Sequence, residues 1–553
     1  MQADRIMAAR GWYLLPAAAI LFYLWRVCLL ADDTPKLDDL NDVFGFFRQL
    51  ALAQTPLQTA LAFFYPNNEH ITLVDHLVYY AQYQLLGEIR FYPLILLGHG
   101  IVIATGLLLA SVARGERRPF VFACIALAYV NLHYWDSTFK AMTAISNQAV
   151  ILFAVAALFA LLRWQRFGLA VLCALLATFT QGNGMLVWPV GLLVLLLEPH
   201  WRKQHAALWL LSAATALALF WWAHHVFSPP SPVTAAAVLE RLQQHPLQPL
   251  RALLAFLGSL AFPASDPLPA MVTGLAALLA LGWHAAQPLR NWLLLSIVLF
   301  LLLSAITASG LRGLILEDAG GVMESRYRMY SVAFLLLALV ALLDQLARQR
   351  ATLALALLAT ALAVHVSGYR HEAAIRQQAQ LFRDSYQHWL VDGDFRRQAT
   401  YFPPISDHFL FVAHHLGLFD AMQLAPDSAI LTPLPAATGQ TCDPLPAPAG
   451  LCPMTMRHRG NAIAVAIEAA VDTDIQPALP ATITLCDAQA RAVMTFAIPD
   501  TAPPPTRWLV READIPAGTY RVLFQSAQQA VCETQLTKKP RKVETEMRTL
   551  FGR

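Results

Sequence analysis

The chain has 553 residues, of which 57% are hydrophobic and 14% are charged. Soluble domains carry about 25% charged residues, so this composition excludes an ordinary soluble enzyme and is typical of a membrane protein. The formal net charge of +3 is too small to indicate a nucleic-acid partner.

The first apolar segment, residues 11–31, is long enough to cross a hydrocarbon core of about 30 Å as a helix. It lacks a small-residue cleavage site, so we interpret it as a retained helix rather than a signal peptide. Residues 167–197 are broken by the Gly-containing turn 180–184, which predicts two short helices that line a central cavity. Further spans are predicted at 91–112, 119–135, 147–162, 206–227, 268–284, 291–309, 328–345 and 351–368. The predicted fold class is therefore an all-α polytopic membrane protein with about 11 transmembrane helices and a small β-rich C-terminal domain.

Basic residues favour one orientation of these spans. If the N-terminus is cytoplasmic, Arg and Lys fall in every alternate short loop, as the positive-inside rule requires. The predicted location is then the inner (plasma) membrane, with the C-terminal domain in the periplasm. The predicted outer segments are 32–90, 136–146, 228–267, 310–327 and everything after 368.

Beyond the transmembrane domain, residues 1–368, the sequence changes character. Residues 369–400 predict an amphipathic linker helix, residues 401–537 an antiparallel β-rich domain, and residues 538–553 a basic tail. Cysteines in an oxidising compartment usually pair. Those at 442, 452, 486 and 532 predict two disulfides with three connectivities open, of which Cys442–Cys452 with Cys486–Cys532 is favoured. Cys28, Cys124 and Cys173 lie in apolar spans and are expected to be free thiols.

The first outer loop, residues 32–90, is acidic. Leu40, Val43, Phe44 and Phe47 recur at helical spacing and predict an amphipathic helix on the membrane surface. Asp38 and Asp42 share one face of that helix. Asp39 lies one step round, so a local rotation decides which carboxylate faces the cavity.

Two further elements carry ionisable groups on the predicted outer side. The turn at residues 65–70 precedes a helical apolar pattern, which predicts Glu69 and His70 at a helix start, where Glu69 could also act only as a cap. Arg326, Tyr327 and Arg328 lie at the outer end of a span. They are either snorkelling boundary residues or an anion site suited to the phosphate of a lipid carrier.

In this order, the three elements resemble those of the type C fold superfamily, membrane glycosyltransferases that use polyprenyl-phosphate sugars. The aminoarabinose and protein-mannosyl transferase-like branch is the most similar. The resemblance rests on Asp38-Asp39, on Glu69-His70 followed by residues 77–80, and on Arg326-Tyr327, and it covers about residues 10–345. His70 stands where the family has lysine, and the prolines of the family motifs are absent.

The resemblance implies transfer of a sugar from a polyprenyl-phosphate donor to a glycan, lipid or protein acceptor outside the membrane. Such a transfer needs a carboxylate base and a cation for the departing phosphate. We assign the base to Asp39, with Asp38 as its rival. Glu69 would orient a substrate, and Arg326 and Arg328 would hold the phosphate. Asp42, His70 and Tyr327 are candidate substrate contacts.

A bound metal and two other activities are alternatives to this assignment. A divalent metal ion is compatible with these residues, although no compact ligand spacing indicates one. An O-antigen polymerase or ligase, which uses polyprenyl-diphosphate glycans, is the main alternative, but such enzymes rely on Arg and His in a large late loop. A transporter would carry ionisable groups near the midplane of several spans, whereas here the charges lie at the boundaries.

Overall fold

The computed structural model describes residues 9–68, 70–227, 235–261, 266–288, 290–315, 322–346 and 350–392, and shorter stretches between 409 and 538. Glu69, Cys452 and residues 539–553 lie outside the described residues. The chain divides into two compact units. The first contains residues 1–85 and 90–378, and the second contains residues 86–89 and 379–553.

The first unit is helical, and its helices follow the apolar segments of the sequence. Among the described residues, 8 helices are long and apolar enough to cross a membrane, and three shorter apolar helices, at 118–129, 167–178 and 182–197, accompany them. The prediction of a polytopic helical membrane protein is thereby confirmed at this level. The short helix Arg118–Tyr129 ends before the predicted span 119–135 does.

The helices of the first part of this unit are listed here in chain order. They are α1 Leu14–Leu30, α2 Gly45–Leu52, α3 Pro56–Ala62, α4 Leu73–Leu86, α5 Phe91–Ala110, α6 Arg118–Tyr129, α7 Trp135–Thr138, α8 Ala141–Leu162, α9 Phe167–Thr178, α10 Val187–Leu197 and α11 Lys203–Phe227. Between α3 and α4 lies a hairpin of β1 Pro66–Asn67 and β2 His70–Ile71. His70 is therefore paired with Asn67 in a short strand, and its predicted position at a helix start is wrong.

The remaining helices of the chain complete the bundle and the predicted linker. They are α12 Ala235–Gln244, α13 Gln248–Gly258, α14 Pro267–Ala285, α15 Trp292–Ile315, α16 Arg328–Gln345, α17 Arg350–Gly368 and α18 Glu372–Asp392. A 3₁₀ turn, Tyr369–His371, joins α17 to α18.

Close packing of α5 on α8 holds the first outer segments in place. A Cβ added to Gly98 of α5 would lie 2.4 Å from the Cβ of Ala144 on α8, so only glycine allows the two helices this approach. Small residues at such crossings are typical of helices in a lipid environment. Since α8 begins at Ala141, this packing also sets the position of the segment just before it.

The second unit contains strands, as predicted. They are β3 Ser428–Leu431, β4 Met454–Arg459, β5 Ala462–Ile467, β6 Thr482–Cys486, β7 Ala492–Ala497, β8 Arg507–Arg511, β9 Gly518–Gln525 and β10 Ala530–Lys538. They form two four-stranded sheets, in the orders β10-β9-β6-β7 and β3-β8-β5-β4. The pairing of β3 with β8 is parallel, so the expectation of a purely antiparallel domain is wrong.

Among the described residues, one disulfide is present in the tail, where two were predicted, and its pairing differs from the favoured one. Cys442 is bonded to Cys486, which excludes the favoured pairs Cys442–Cys452 and Cys486–Cys532. The backbone N–H of Cys442 donates to the carbonyl of Ala490, so Cys442 contacts the β6–β7 turn. Cys28, Cys124 and Cys173 are free thiols, as expected.

Candidate active site

Asp39 fixes the segment between α1 and α2, the beginning of the first predicted outer segment, to the start of α8. Its carboxylate is fully buried and accepts hydrogen bonds from the backbone N–H of Lys36, at 2.9 Å, and of Met142, at 2.8 Å. Met142 lies in the first turn of α8, where backbone N–H groups lack partners inside the helix. Burial nevertheless raises the pKa of Asp39 to about 6, against the opposing effect of these hydrogen bonds. Asp39 thus caps the N-terminus of α8 from a segment that is distant along the chain.

Asp42 lies in a π-helical turn, Leu40–Phe44, that directly follows Asp39. It is fully buried, and it accepts hydrogen bonds from the Thr72 hydroxyl at 2.7 Å and the Tyr79 hydroxyl at 2.9 Å. His76 Nε2 lies 3.5 Å from the same carboxylate. The partners of Asp42 are therefore buried side chains, two from α4 and that of Thr72 just before it. π-Turns are frequent at functional sites because they rotate side chains out of α-helical register.

Asp38 is half-buried, whereas its neighbour Asp39 is fully buried. Burial raises its pKa above the ordinary value; the charges of Lys140 and Arg326 oppose this shift, and those of Asp42 and Asp136 add to it. Among the described residues, no hydrogen bond occupies its side chain. Asp38 is thus a half-buried carboxylate on which the charges of two cations from other segments act.

Lys140 lies one residue before α8, and Asp136 lies within α7. Both belong to the segment 136–146, which the sequence predicts to be outer. Lys140 Nζ donates to Asp136 Oδ1 at 2.8 Å, and only 7% of the Lys140 surface is exposed. Although burial alone would raise the pKa of Asp136, the charge and hydrogen bond of Lys140 lower it below its ordinary value. Sequence reasoning missed both residues. The signal was their spacing of four residues in the predicted outer loop 136–146.

Arg326 enters the same group from the turn before α16. It forms an ion pair with Glu324, and its charge also acts on Asp38 and Asp136. Its Nε is buried and has no hydrogen-bond partner in the described part of the chain. Tyr327 follows, and the Arg326 guanidinium lies 5.2 Å from the centre of its ring.

Ser325 attaches this turn to α7. Its hydroxyl donates to the carbonyl of His133 at 2.6 Å and accepts from the backbone N–H of Asp136 at 3.2 Å. The structure thus brings together Asp38, Asp136, Lys140 and Arg326 from three separated segments. We call these four residues the charged cluster.

The Gly-containing turn between α9 and α10 meets the first outer segment at His70. The backbone N–H of Gly182 donates to His70 Nδ1 at 3.3 Å. Gly184 lies where a Cβ would come within 1.9 Å of the carbonyl oxygen of Ala177, so a side chain there would push the turn off α9.

Uncharged polar side chains line the same turn. The Gln181 amide donates to Asn147 at 2.8 Å, and the Asn183 amide donates to Ser304 at 3.2 Å and to Tyr330 at 2.7 Å. The amide oxygens of Gln181 and Asn183 are buried and lack a hydrogen-bond partner in the described structure. Since buried acceptors without partners are costly, they are suited to receive a donor from a ligand.

Arg328, predicted to assist Arg326, lies among different groups. Its charge acts on His133 and His371, and it is absent from the groups that shift Asp38. The described contacts thus associate Arg328 with the two histidines and Arg326 with Asp38 and Asp136.

A metal site is not seen in the described part of the chain, where no group of three or more His, Cys, Asp and Glu side chains is placed to hold an ion. Glu69, which the sequence offered as a further acid, lies outside the described residues. Asp75 of α4 is fully buried, and burial and the neighbouring Asp42 raise its pKa well above the ordinary value.

Comparisons with known proteins add no family. No family model matches the chain, and searches of curated proteins and of solved structures likewise give no match.

Proposed function

We propose that the chain is a membrane glycosyltransferase that moves a sugar from a polyprenyl-phosphate donor to an acceptor at the outer face of the membrane. The observation that carries this proposal is the charged cluster, in which one half-buried carboxylate, Asp38, lies within the electrostatic influence of Lys140 and Arg326. A base and two cations at one site are the groups that glycosyl transfer from a phosphate requires.

The chemistry assigns a part to each member of the cluster. The Asp38 carboxylate accepts the proton of an acceptor hydroxyl, whose oxygen attacks the anomeric carbon of the sugar. The bond between that carbon and the phosphate oxygen breaks, and its electron pair stays on the phosphate. Arg326 and Lys140 stabilise the charge that develops there. Asp136 orients Lys140 through its 2.8 Å contact.

Asp38 replaces Asp39 as the preferred base. Two backbone N–H groups occupy the Asp39 carboxylate, and a proton acceptor must be free to contact the substrate. Asp38 makes no such contact in the described structure. Burial raises the pKa of Asp38 in the direction of neutral pH. A carboxylate with a higher pKa accepts a proton more readily and is therefore a better base.

The turn between α9 and α10, which carries the uncharged polar side chains Gln181 and Asn183, offers a place for the sugar ring. Asn147 follows Lys140 by seven residues, which is about 10 Å along α8 at 1.5 Å per residue. The turn and the charged cluster are therefore about two helical turns apart along α8. Gln181 and Asn183 could then accept hydrogen bonds from sugar hydroxyls through amide oxygens that have no partner among the described side chains. This arrangement favours a donor sugar rich in neutral hydroxyl groups.

The type C fold, the outward orientation of the site and the periplasmic position of the β-rich unit are parts of the same proposal. The eight long apolar helices support membrane embedding. The order of Asp38-Asp39, His70 and Arg326-Tyr327 along the chain, and their contacts with outer loop segments, support the family resemblance.

The direct test offers purified protein two donors, a polyprenyl-monophosphate sugar and a polyprenyl-diphosphate oligosaccharide. We expect turnover of the monophosphate donor, and its loss in Asp38→Asn. Turnover of only the diphosphate donor would favour a polymerase or ligase instead. Mass spectrometry of cell-surface glycolipids, polysaccharides and glycoproteins, with and without the chain, would identify the sugar and its acceptor together.

A further inference from the structure

A second group of basic side chains lies beside the charged cluster. His133 Nδ1 is 3.2 Å from His371 Nε2, and His133 Nε2 is 2.9 Å from the Ser367 hydroxyl. These residues come from the segment before α7, from the end of α17 and from the turn after it. They meet at the end of the bundle where α16 begins and α17 ends.

Two arginines act on this histidine pair. Burial, His371 and the charges of Arg328 and Arg370 together lower the pKa of His133 to about 3. The same two arginines act on His371, and they repel each other. We call His133, His371, Arg328 and Arg370 the basic group.

The basic group has no acidic counterpart within the described structure. No hydrogen bond or ion pair joins a described carboxylate to His133, His371, Arg328 or Arg370. Glu372, which directly follows His371, is engaged by Arg26. The buried Nε of Arg328 has no hydrogen-bond partner in the described part of the chain. The two guanidinium charges of Arg328 and Arg370 repel each other without a paired carboxylate among the described residues, so an anion would relieve the repulsion and fill the open donor of Arg328.

The helix beneath the basic group faces lipid. Leu362 and Val366 of α17 are 41% and 65% exposed, and Arg370 follows Val366 by four residues. Residues at this spacing lie on one helical face. An anion that contacts Arg370 would therefore sit above an apolar strip that can receive an acyl chain.

We infer that the basic group binds the phosphate of an anionic phospholipid headgroup, whose acyl chains lie along the Leu362 and Val366 face of α17. Net negative charge matters, because the ammonium of a zwitterionic headgroup would approach Arg370. This site is distinct from the proposed donor phosphate site at Arg326 and Lys140, and it does not depend on sugar transfer.

Native mass spectrometry of the purified full-length chain can test this inference. Phosphatidylglycerol, phosphatidylcholine and a polyprenyl monophosphate are added in separate arms, and bound lipid is counted. We expect the wild-type chain to retain phosphatidylglycerol over phosphatidylcholine. Arg328→Gln and Arg370→Gln should each lower retained phosphatidylglycerol about fivefold, the effect of one arginine at a membrane surface.

Matched variants separate the two phosphate sites. Arg326→Gln should lower retention of the polyprenyl monophosphate and leave phosphatidylglycerol unchanged. Arg251→Gln, an exposed arginine on α13, should alter neither lipid, and thermal unfolding checks that each variant folds. The exposed position of Arg370 makes its variant informative even if Arg328→Gln misfolds. The inference is overturned if the basic-group variants lower only the polyprenyl monophosphate, or if they change neither lipid.

Discussion

The carboxylate of Asp39 accepts a hydrogen bond of 2.8 Å from the backbone N–H of Met142, 103 residues along the chain. This contact attaches the first outer segment to the first turn of α8. The neighbouring Asp38 lies within the electrostatic influence of Lys140 and Arg326. Adjacent aspartates thus have different environments and should respond differently to substitution.

The first prediction separates these two aspartates. Asp38→Asn should keep the fold and lower turnover by about 10²–10⁴-fold, the usual contribution of a general base. Asp39→Asn should instead destabilise the protein by about 1–3 kcal/mol, because an amide oxygen cannot serve both N–H groups. Donor turnover and thermal unfolding, measured on both variants, give the comparison. Loss of activity confined to a stable Asp39→Asn protein would return the base to Asp39.

The second prediction concerns pH. Lys140 lowers the pKa of Asp38, so Lys140→Gln should raise it further. Because the base must be unprotonated, the acidic limb of the kcat/KM profile should move to higher pH, and the loss of rate should be greatest at low pH. Arg251→Gln should leave that limb unchanged. A Lys140→Gln profile that falls equally at every pH would contradict an effect through Asp38.

The third prediction concerns the leaving phosphate. Arg326→Ala should lower turnover by about 10²–10³-fold, the typical cost of losing one preorganised group that stabilises developing charge. Arg326→Lys should recover only part of the rate, since an ammonium cannot make a two-pronged contact. Full activity in a folded Arg326→Ala protein would make this arginine a boundary residue.

The fourth prediction tests the turn between α9 and α10. Gly184→Ala would place a Cβ 1.9 Å from the Ala177 carbonyl oxygen and should destabilise the protein by more than the ~1–3 kcal/mol typical of overpacking, since backbone must move. Gly100→Ala is the matched control. It lies within α5 with no atom within 4 Å of the added Cβ, and it should be neutral or slightly stabilising because alanine favours helix. Equal unfolding midpoints for the two variants would contradict the close approach.

The fifth prediction concerns the disulfide. Alkylation without reductant should leave Cys442 and Cys486 unlabelled and should label the exposed Cys28. Replacing both bonded cysteines with serine should destabilise the β-rich unit by about 2–4 kcal/mol, the typical effect of a disulfide. Peptide mapping that finds Cys486 joined to Cys532 would overturn the pairing.

Local sequence determined the helices and many of the strands. A run of about 20 apolar residues must satisfy its backbone internally in lipid, so composition and length alone located the spans. The predicted β-rich region, 401–537, likewise contains strands such as β8, because β-branched and aromatic residues between turn residues carry a local signal. The presence of a disulfide followed from cysteine in the tail.

Tertiary packing decided the rest. Lys140 and Arg326 approach Asp38 from segments about 100 and 290 residues away along the chain, and no local pattern specifies such contacts. The partner of Cys486 depended on sheet pairing, which placed the β6–β7 turn against Cys442. The choice between Asp38 and Asp39 depended on the backbone N–H groups of α8 that lacked helical partners. Periodicity determines the helical face on which a side chain lies. Only the packed neighbours determine whether that side chain is already hydrogen-bonded within the protein or is open to a substrate.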